Sequence, residues 1–288
     1  MDLPEAILKE RLINFLKEDI GLGDITTDTL IPKGSKAKGR IIAKEKGGLL
    51  LAGISEVKLL FSILDLETKG NFKDGEWVNF GDTILTIYGD AGLILMSERT
   101  ALNLLMRMCG IATLTRNLSE KIKKLGVKTK ISATRKVAPG LLYFDKKAVK
   151  IGGGDTHRMH LEDAILIKDN HIALVGGLEN AINLAKRASF TKKIEIEVRD
   201  KEQAVEATLL GADIIMLDNF SPQEVEETLK ILREKGLREK VIIEVSGGVT
   251  EENLLDYARL EPDIISLGQL THSVRAVDIS LQVESFIF

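Results

Sequence analysis

Ile194-Glu195-Ile196-Glu197-Val198 is the first of four short apolar runs in the second half of the chain, spaced about 21 to 28 residues apart. The other three runs follow it in order: 214–217, 241–245 and 264–267. The stretches between them carry apolar residues at helical spacing: 203–210, 222–235 and 251–260. One strand and one helix together have this length. Their repetition predicts parallel strands with helices outside them, as in an α/β barrel.

The first part of the chain has a different pattern. Residues 4–18 have helical spacing, and 24–28 form a polar segment typical of a turn. Between 37 and 88 the pattern changes to short strands broken by glycine, which predicts a small α+β domain. The longest helical stretch, 97–125, contains Gly110, and we expect this glycine to divide it into two helices.

Composition limits the function classes. A chain of 288 residues, 44% hydrophobic and 29% charged, suits a barrel with a smaller companion domain. A net charge of −3 does not favour a nucleic-acid partner. The acidic start lacks an apolar signal core, and no apolar run approaches the roughly 20 residues that span a bilayer. Cys109 is the single cysteine, which excludes an internal disulfide. We therefore expect a cytoplasmic protein without membrane or nucleic-acid contacts.

Polar residues follow the predicted barrel strands where these strands end. Asp218 comes directly after the second run, and glycines follow the third and fourth runs at 247–248 and at 268. Glu197 lies inside the first run. Singly, each glycine could serve a tight turn and Asp218 could cap a helix. Together, two carboxylates suit hydrated Mg²⁺, and glycine loops before helices suit phosphate, so we interpret this edge as a metal and phosphate site.

A second group of polar residues is basic. Arg135 and Lys136 follow a predicted strand, His157 and Arg158 follow a glycine tract, and Lys168 closes another apolar run. Cations this close repel one another and require an anion, preferably a multiply charged one. The alternative is that these side chains are ordinary solvated surface charges.

These residues resemble the signature of the quinolinate phosphoribosyltransferase family. The signature residues are Thr134-Arg135-Lys136, Pro139-Gly140, Gly152-Gly153-Gly154, His157-Arg158, Leu161 and Lys168-Asp169-Asn170-His171. Further segments match in order along nearly the whole chain: 23–27, 98–103, 110–113, 195–198, 217–220, 244–249 and 266–268. The chain departs from the family at Val137 and Ala138, where Thr-Thr is usual, and near Leu142, where an arginine is usual.

The resemblance implies a fold and an assembly. The expected fold is an incomplete α/β (TIM-like) barrel over 111–270, beside an N-terminal α/β sandwich domain over 1–110 that the tail 271–288 completes. The expected assembly is at least a homodimer, because Arg99 resembles a residue that completes the neighbouring subunit's site. Dimer and hexamer both remain open.

The resemblance also implies a reaction. A type II phosphoribosyltransferase converts quinolinate and 5-phosphoribosyl 1-diphosphate (PRPP) to nicotinate mononucleotide, diphosphate and CO₂ in de novo NAD biosynthesis. The implied cofactor is Mg²⁺, held near Glu197 and Asp218, indirectly or shared with PRPP. The implied catalytic residues are Lys136, Lys168, Glu197 and Asp218. The implied substrate-binding residues are Arg99, Thr134, Arg135, Lys136, His157, Arg158, Lys168, Glu197, Asp218, Ser246, Gly247, Gly248, Leu267, Gly268, Gln269 and His272.

Four alternatives remain open at this point. The protein encoded alongside molybdate transporters shares the fold family but lacks the Lys-Asp-Asn-His element at 168–171. A nicotinate-using phosphoribosyltransferase handles one carboxylate and needs fewer cations. A barrel isomerase acting on a sugar phosphate would share the phosphate loops without the cations, and a non-catalytic binding module would not need the two carboxylates. Either Lys168 or a water molecule could supply the proton that follows decarboxylation.

Overall fold

The computed structural model describes residues 2–70 and 72–287, which divide into two compact units. The first unit contains the residues up to Arg116, the short segment Lys150–Gly152 and the residues from Val274 onward. The second unit contains Asn117–Val149 and Gly153–Ser273. The first unit thus extends past the predicted boundary at 110, because that boundary falls within a single continuous helix. The tail joins the first unit from Val274 rather than from 271.

The first unit is built on an antiparallel sheet with the strand order β12-β1-β5-β3 and a separate pair, β2-β4. The strands are β1 (Lys36–Ala43), β2 (Leu49–Leu50), β3 (Glu67–Lys69), β4 (Trp77–Val78), β5 (Thr83–Asp90) and β12 (Ile279–Ile287). Every residue of β1 from Lys36 to Ala43 pairs with β12, so the chain's C-terminal strand completes the sheet that its N-terminal part begins. This pairing supplies hydrogen-bond partners for the edge of β1 that would otherwise be open.

Four helices accompany this sheet in the chain. They are α1 (Glu5–Ile20), α2 (Ile25–Leu30), α3 (Ile54–Ile63) and α4 (Ala91–Lys123). Helix α1 buries Leu8, Leu12 and Leu16, which are four residues apart and therefore share one face. The turn predicted at 24–28 is wrong from Ile25 onward. Asp24 accepts hydrogen bonds from the amides of Thr26 and Thr27, both at 3.1 Å, and so caps a short helix.

Helix α4 runs for 33 residues without a break, so the predicted division at Gly110 is also wrong. A Cβ atom at Gly110 would lie 2.2 Å from the carbonyl oxygen of Arg275. The glycine is therefore needed for a close approach of two backbone segments, and the low helix propensity of one residue does not interrupt a helix held by packing. Among the described residues, no helix combines the length and apolar character that crossing a membrane requires.

The second unit contains six parallel strands in the order β6-β11-β10-β9-β8-β7. They are β6 (Lys130–Ser132), β7 (Ile165–Ile167), β8 (Ile194–Val198), β9 (Ile214–Asp218), β10 (Ile242–Ser246) and β11 (Ile264–Ser266). Within the described ranges, the outer strands β6 and β7 do not pair with each other, so the sheet stays open. The predicted incomplete α/β barrel is confirmed, and the four apolar runs of the sequence form β8 to β11.

Helices separate these strands along the chain, as right-handed strand–helix units require. They are α5 (Leu142–Gly152), α6 (Asp169–Leu174), α7 (Leu178–Ala188), α8 (Lys201–Leu209), α9 (Pro222–Glu234), α10 (Leu254–Ala258) and α11 (Gln269–His272), with a 3₁₀ turn at Arg238–Lys240. Ile196, Ile215 and Ile243 are fully buried on one face of the sheet. The alternate positions along the same strands include the polar residues Glu195, Glu197, Asp218, Glu244 and Ser246, and they face the other side of the sheet.

Candidate active site

Two cavities, of about 440 and 400 Å³, open at the carboxyl ends of the barrel strands. They adjoin, because five residues line both: Thr134, Lys136, Ser246, Gly247 and Gly248. The first cavity is otherwise lined by Arg135, His157, Arg158, Leu166, Lys168, Glu197, Met216, Asp218, Asn219 and Glu244. The second is otherwise lined by Val249, Thr250, Glu252, Ser266, Gly268, Gln269, His272 and Ser273. Carboxyl ends of parallel strands are the usual place of chemistry in this architecture.

The register of the sheet explains why these side chains meet. Glu197 lies opposite Met216, and Asp218 lies opposite Ser246 on the next strand. Side chains two residues apart on a strand point to the same face, so Met216 and Asp218 share the face that lines the cavity. The polar residues at the strand ends therefore converge as a consequence of strand pairing, although they are distant in sequence.

The first cavity has a basic wall formed by Arg135, Arg158 and Lys168. Arg158 donates one hydrogen bond from Nη1 to the carbonyl oxygen of Ala164 at 3.2 Å, while its buried Nε has no hydrogen-bond partner. Burial, followed by the nearby Arg135, lowers the pKa of Arg158 from its ordinary value. A guanidinium group that is desolvated, next to another cation and not fully hydrogen-bonded, is suited to bind an anion.

Lys168 reaches the same cavity from the end of β7 and forms an ion pair with Glu197. Its backbone amide donates to Nδ1 of His171 at 2.9 Å, and the neighbouring Asp169 pairs with Arg199 at 2.8 Å. The Lys-Asp-Asn-His element thus has two tasks. Its lysine faces the cavity, while its aspartate and histidine fix the start of α6, where orphan amides need acceptors.

The acidic wall holds Glu197 and Asp218, both partly exposed, on neighbouring strands. Asp218 accepts a hydrogen bond from Nδ2 of Asn219 at 2.7 Å. Carboxylate oxygens on a water-accessible wall fit a hydrated Mg²⁺, which takes oxygen ligands and keeps several waters. Because Lys168 already pairs with Glu197, this carboxylate would hold the ion through water or through a shared phosphate.

Gly247 cannot be replaced by a larger residue without displacement of its neighbour. Its φ is +79°, and a Cβ atom would lie 2.5 Å from Oδ1 and 2.7 Å from the backbone nitrogen of Asn219. Asn219 itself has a φ of +60° and donates its amide to the Ser246 carbonyl at 2.9 Å. Two consecutive left-handed glycines, at 247 and 248, leave this loop without side chains, so a ligand can approach its backbone closely.

The second cavity joins the Lys136 loop to the start of α11. Thr271 donates from Oγ1 to the carbonyl oxygen of Lys136 at 2.8 Å, and the Lys136 amide donates to Oγ1 of Thr134 at 3.1 Å. A Cβ atom at Gly268 would lie 2.8 Å from the His272 ring and 3.1 Å from the Lys136 side chain. A lysine, a histidine and two glycine loops therefore surround a volume suitable for a phosphate group.

His157 is a partly buried residue of the first cavity and contacts two buried carboxylates. Its Nε2 is 3.3 Å from Oε1 of Glu195 and 3.4 Å from Oε2 of Glu244. Burial alone lowers the pKa of His157, but the hydrogen bonds to the two glutamates outweigh it and raise that pKa to about 9. Burial, together with the charge of Glu244, raises the pKa of Glu195. Because Nδ1 of His157 accepts the Arg158 amide at 2.8 Å, the additional proton that this cluster retains at neutral pH lies on the side of the two carboxylates.

A third cavity, of about 630 Å³, lies at the amino ends of the strands, beside Lys130 and Ile264. It contains the ion pair between Arg238 and Asp263, at 2.9 Å, which neutralises both charges. This cavity is larger than the two at the carboxyl ends. Among its lining residues there is no unpaired strand-end carboxylate and no double-glycine loop, so we do not assign the chemistry to it.

Nearly all of the predicted site residues line one of the two cavities at the carboxyl ends. Leu267 does not, because it is fully buried and its amide donates to the Ser132 carbonyl within the sheet. Arg99 is an exposed residue of α4 in the first unit, so its role in a neighbouring site stays a prediction. Sequence reasoning missed Glu195 and Glu244, although each lies two residues before a predicted site residue and therefore on the same strand face.

Comparisons with known proteins agree with this arrangement. The model of the quinolinate phosphoribosyl transferase C-terminal domain matches residues 111–282, and that of the N-terminal domain matches 24–109. A relative from Methanocaldococcus jannaschii, named a probable nicotinate-nucleotide pyrophosphorylase (carboxylating), is 50% identical over 284 residues, covering 96% of this chain and 99% of the relative. A human nicotinate-nucleotide pyrophosphorylase (carboxylating) is 32% identical, covering 98% of this chain and 93% of its own.

Solved structures give the same result at the level of the fold. The nicotinate-nucleotide pyrophosphorylase from Francisella tularensis superposes with a TM-score of 0.90 at 34% identity and covers 98% of both chains. The family models together span most of the chain, and the relatives match over almost their full length. The family that the motifs between Thr134 and His171 predicted is therefore confirmed, and this chain belongs to the quinolinate phosphoribosyltransferase family.

Proposed function

We propose that this protein converts quinolinate and PRPP to nicotinate mononucleotide, diphosphate and CO₂, a decarboxylating phosphoribosyl transfer in NAD biosynthesis. The observation that carries the proposal is the junction of the two cavities. A wall of cations meets a pair of glycine loops, and Thr134, Lys136 and the loop 246–248 line both spaces. Such a site can hold a planar dianion beside a phosphorylated sugar and bring their reacting atoms together.

The basic wall of the first cavity suits quinolinate. Two neighbouring carboxylates on a pyridine ring need two or more donors in fixed positions, and Arg135, Arg158 and Lys168 supply them. Planar guanidinium groups match carboxylates in bidentate fashion, which a single lysine cannot do. The dianion would also offset the burial of Arg158 and its repulsion from Arg135, which together lower the pKa of Arg158 in the free protein.

The second cavity suits the 5′-phosphate of PRPP. Gly247, Gly248 and Gly268 expose backbone at its edge, Lys136 adds positive charge, and His272 lines the same space. Glu197 and Asp218, in the first cavity, would hold Mg²⁺ together with the diphosphate. When bound there, Mg²⁺ neutralises the negative charge that develops on the departing diphosphate.

The chemistry needs no covalent intermediate with the protein. The lone pair of the pyridine nitrogen forms a bond to C1′ of the ribose as the bond between C1′ and the diphosphate oxygen breaks. The ring nitrogen then carries a positive charge. The bond between C2 and its carboxylate breaks, CO₂ leaves, the electron pair stays on C2 next to this cation, and a proton adds to C2. The task of the side chains is to orient the ring and to place charge.

We also propose that the active assembly is at least a homodimer in which Arg99 reaches the neighbouring subunit's quinolinate site. The exposed position of Arg99 on α4 supports this, since a partner could reach it. We place the reaction in the cytoplasm, because PRPP is a polyanion that an apolar bilayer excludes, and it must be used in the compartment where it is made.

A direct assay tests the proposed function. The protein is incubated with PRPP, Mg²⁺ and quinolinate labelled in its 2-carboxylate, and labelled CO₂ and nicotinate mononucleotide are measured. We expect both products in equal amounts, and no nucleotide when nicotinate replaces quinolinate. Formation of the nucleotide from nicotinate at a comparable rate would identify a nicotinate-using enzyme instead. For the metal, we expect chelation to stop turnover and the Asp218→Asn variant to need more Mg²⁺ than the wild type.

A further inference from the structure

His157 is one of the predicted quinolinate ligands, yet both of its ring nitrogens are engaged within the protein. Nε2 faces Glu195 at 3.3 Å and Glu244 at 3.4 Å. Nδ1 accepts a hydrogen bond from the backbone amide of Arg158 at 2.8 Å. An acceptor at Nδ1 places the ring proton on Nε2, where it is directed at the two carboxylates. The ring therefore has no donor left for a substrate.

We propose that Glu195 and Glu244 are positioning residues, which hold the His157 ring and through it the backbone of Arg158 beneath the quinolinate site. The inference rests on the proposed function and deepens it. In this arrangement Arg158 contacts the substrate, and the His157 ring fixes the position of the Arg158 backbone. The two glutamates in turn fix the orientation of the His157 ring.

Burial of the two glutamates supports this role. Glu195 and Glu244 are each only 1% exposed, inside the barrel and below the cavity mouth. Ser266, also buried, donates its hydroxyl to Oε1 of Glu244 at 2.5 Å. Carboxylates at such depth require partners, and the His157 N–H is a partner that both can reach. The three groups form a connected unit that fixes the ring from below.

The backbone around His157 shows why it needs an anchor. His157 has a φ of +54°, a left-handed conformation that a residue with a Cβ atom rarely adopts. Its amide donates to Oδ1 of Asp155 at 2.8 Å. Fully buried Lys146 donates to the carbonyl oxygens of Thr156 and, at 3.4 Å, Arg158. The surrounding structure thus holds this turn from both sides, which is how strained backbone persists at functional sites.

A metal ion is the main alternative for this cluster. The ligand atoms of His157, Glu195 and Glu244 lie within 4.8 Å of one another, which a single ion could bridge. However, a metal would have to bind Nε2, and the Arg158 amide at Nδ1 leaves the ring proton on that atom. Ligating histidines use their second nitrogen as a donor, whereas this one accepts. The geometry therefore favours a hydrogen-bonded anchor.

Substrate-specific kinetics test the proposal. Glu195→Gln and Glu244→Gln keep the size of each side chain and remove its charge. We expect each to raise KM for quinolinate at least tenfold and to leave KM for PRPP within about twofold, because the hydrogen bonds of the cluster lead through His157 to the Arg158 amide in the first cavity. Glu162→Gln, which changes an exposed carboxylate of the same loop region, is the matched control and should behave like the wild type.

Two kinetic results would overturn the proposal. The first is an unchanged KM for quinolinate in both glutamine variants. The second is an equal rise for both substrates together with a lower melting temperature, which would indicate only general damage. If the glutamine variants do not fold, Ser266→Ala takes their place. It removes a single hydrogen bond to Glu244 and should raise KM for quinolinate about threefold, and no rise would count against the anchor.

Nitrogen-15 NMR of the four histidines is an independent test of the proposal. We expect the His157 signal, assigned with His157→Gln, to show a proton on Nε2 and an acceptor at Nδ1, with and without quinolinate. A proton on Nδ1, or a metal in the purified protein that His157→Gln removes, would refute the anchor. Because the tautomer is measured on the free protein, the NMR result can refute the positioning role of the glutamates even when the enzyme assay supports the proposed function. If the wild type did not consume quinolinate at all, the proposed function would fail instead.

Discussion

Replacement of Arg158 by glutamine is the perturbation that probes the site most directly. Arg158 donates one hydrogen bond to the Ala164 carbonyl, while its buried Nε has no hydrogen-bond partner in the protein. A bound carboxylate would supply that partner through a charge-assisted bond. A hydrogen bond to a charged group is worth about 1.5–3 kcal/mol, and a bidentate contact belongs at the upper end of that range.

This energy gives the expected size of the effect. A loss of about 2–3 kcal/mol corresponds to a fall of about 30- to 150-fold in kcat/KM for quinolinate. The same substitution should not lower the melting temperature, and should raise it slightly, because burial and Arg135 make the charge of Arg158 unfavourable in the free protein. Function and stability should therefore change in opposite directions.

The assay is steady-state kinetics with quinolinate varied at saturating PRPP, together with thermal unfolding of the same samples. Arg158→Lys should recover only part of the loss, since a lysine cannot make the bidentate contact. Arg259→Gln, in an exposed ion pair with Asp256, is the matched control and should leave both readouts unchanged. A fall in kcat/KM of less than threefold for Arg158→Gln would refute the assignment of this guanidinium to the substrate.

Two further predictions concern the phosphate loop and the assembly. Gly247→Ala introduces a Cβ atom 2.7 Å from the Asn219 backbone nitrogen at a φ of +79°, so we expect a loss of about 1–3 kcal/mol in unfolding free energy by denaturation and a higher KM for PRPP. Mixing inactive Arg99→Ala and Lys168→Ala subunits should restore partial activity, and no recovery after proven subunit exchange would contradict a shared site.

The sequence predicted the repeated strands because each strand of the barrel is a distinct apolar run. Runs such as 194–198 and 214–217 are short, apolar and regularly spaced, and the parallel sheet follows from that regularity. The convergence of Asp218, Lys168 and the glycine loops also followed, because parallel strands end at a common edge. These features depend on local sequence and on one topological rule, so no tertiary information was needed.

Other features depended on contacts that the sequence does not display. Gly110 looked like a helix breaker, but it is a point of close backbone approach to Arg275 within an unbroken helix. Leu267 matched the family pattern, yet its side chain is fully buried directly after the end of β11. In each case the role of the residue depends on a contact with a residue that is distant along the chain.

The sequence by itself determined that this protein is a parallel barrel of strand–helix units with a family signature between Thr134 and His171, because periodicity and motif are local properties. Only the tertiary structure decided which charges are partners. It brought Glu195 and Glu244 to Nε2 of His157 and joined Lys168 to Glu197. Pairing depends on strand register and on burial, and both arise only after the barrel has brought together residues from four different segments of the chain.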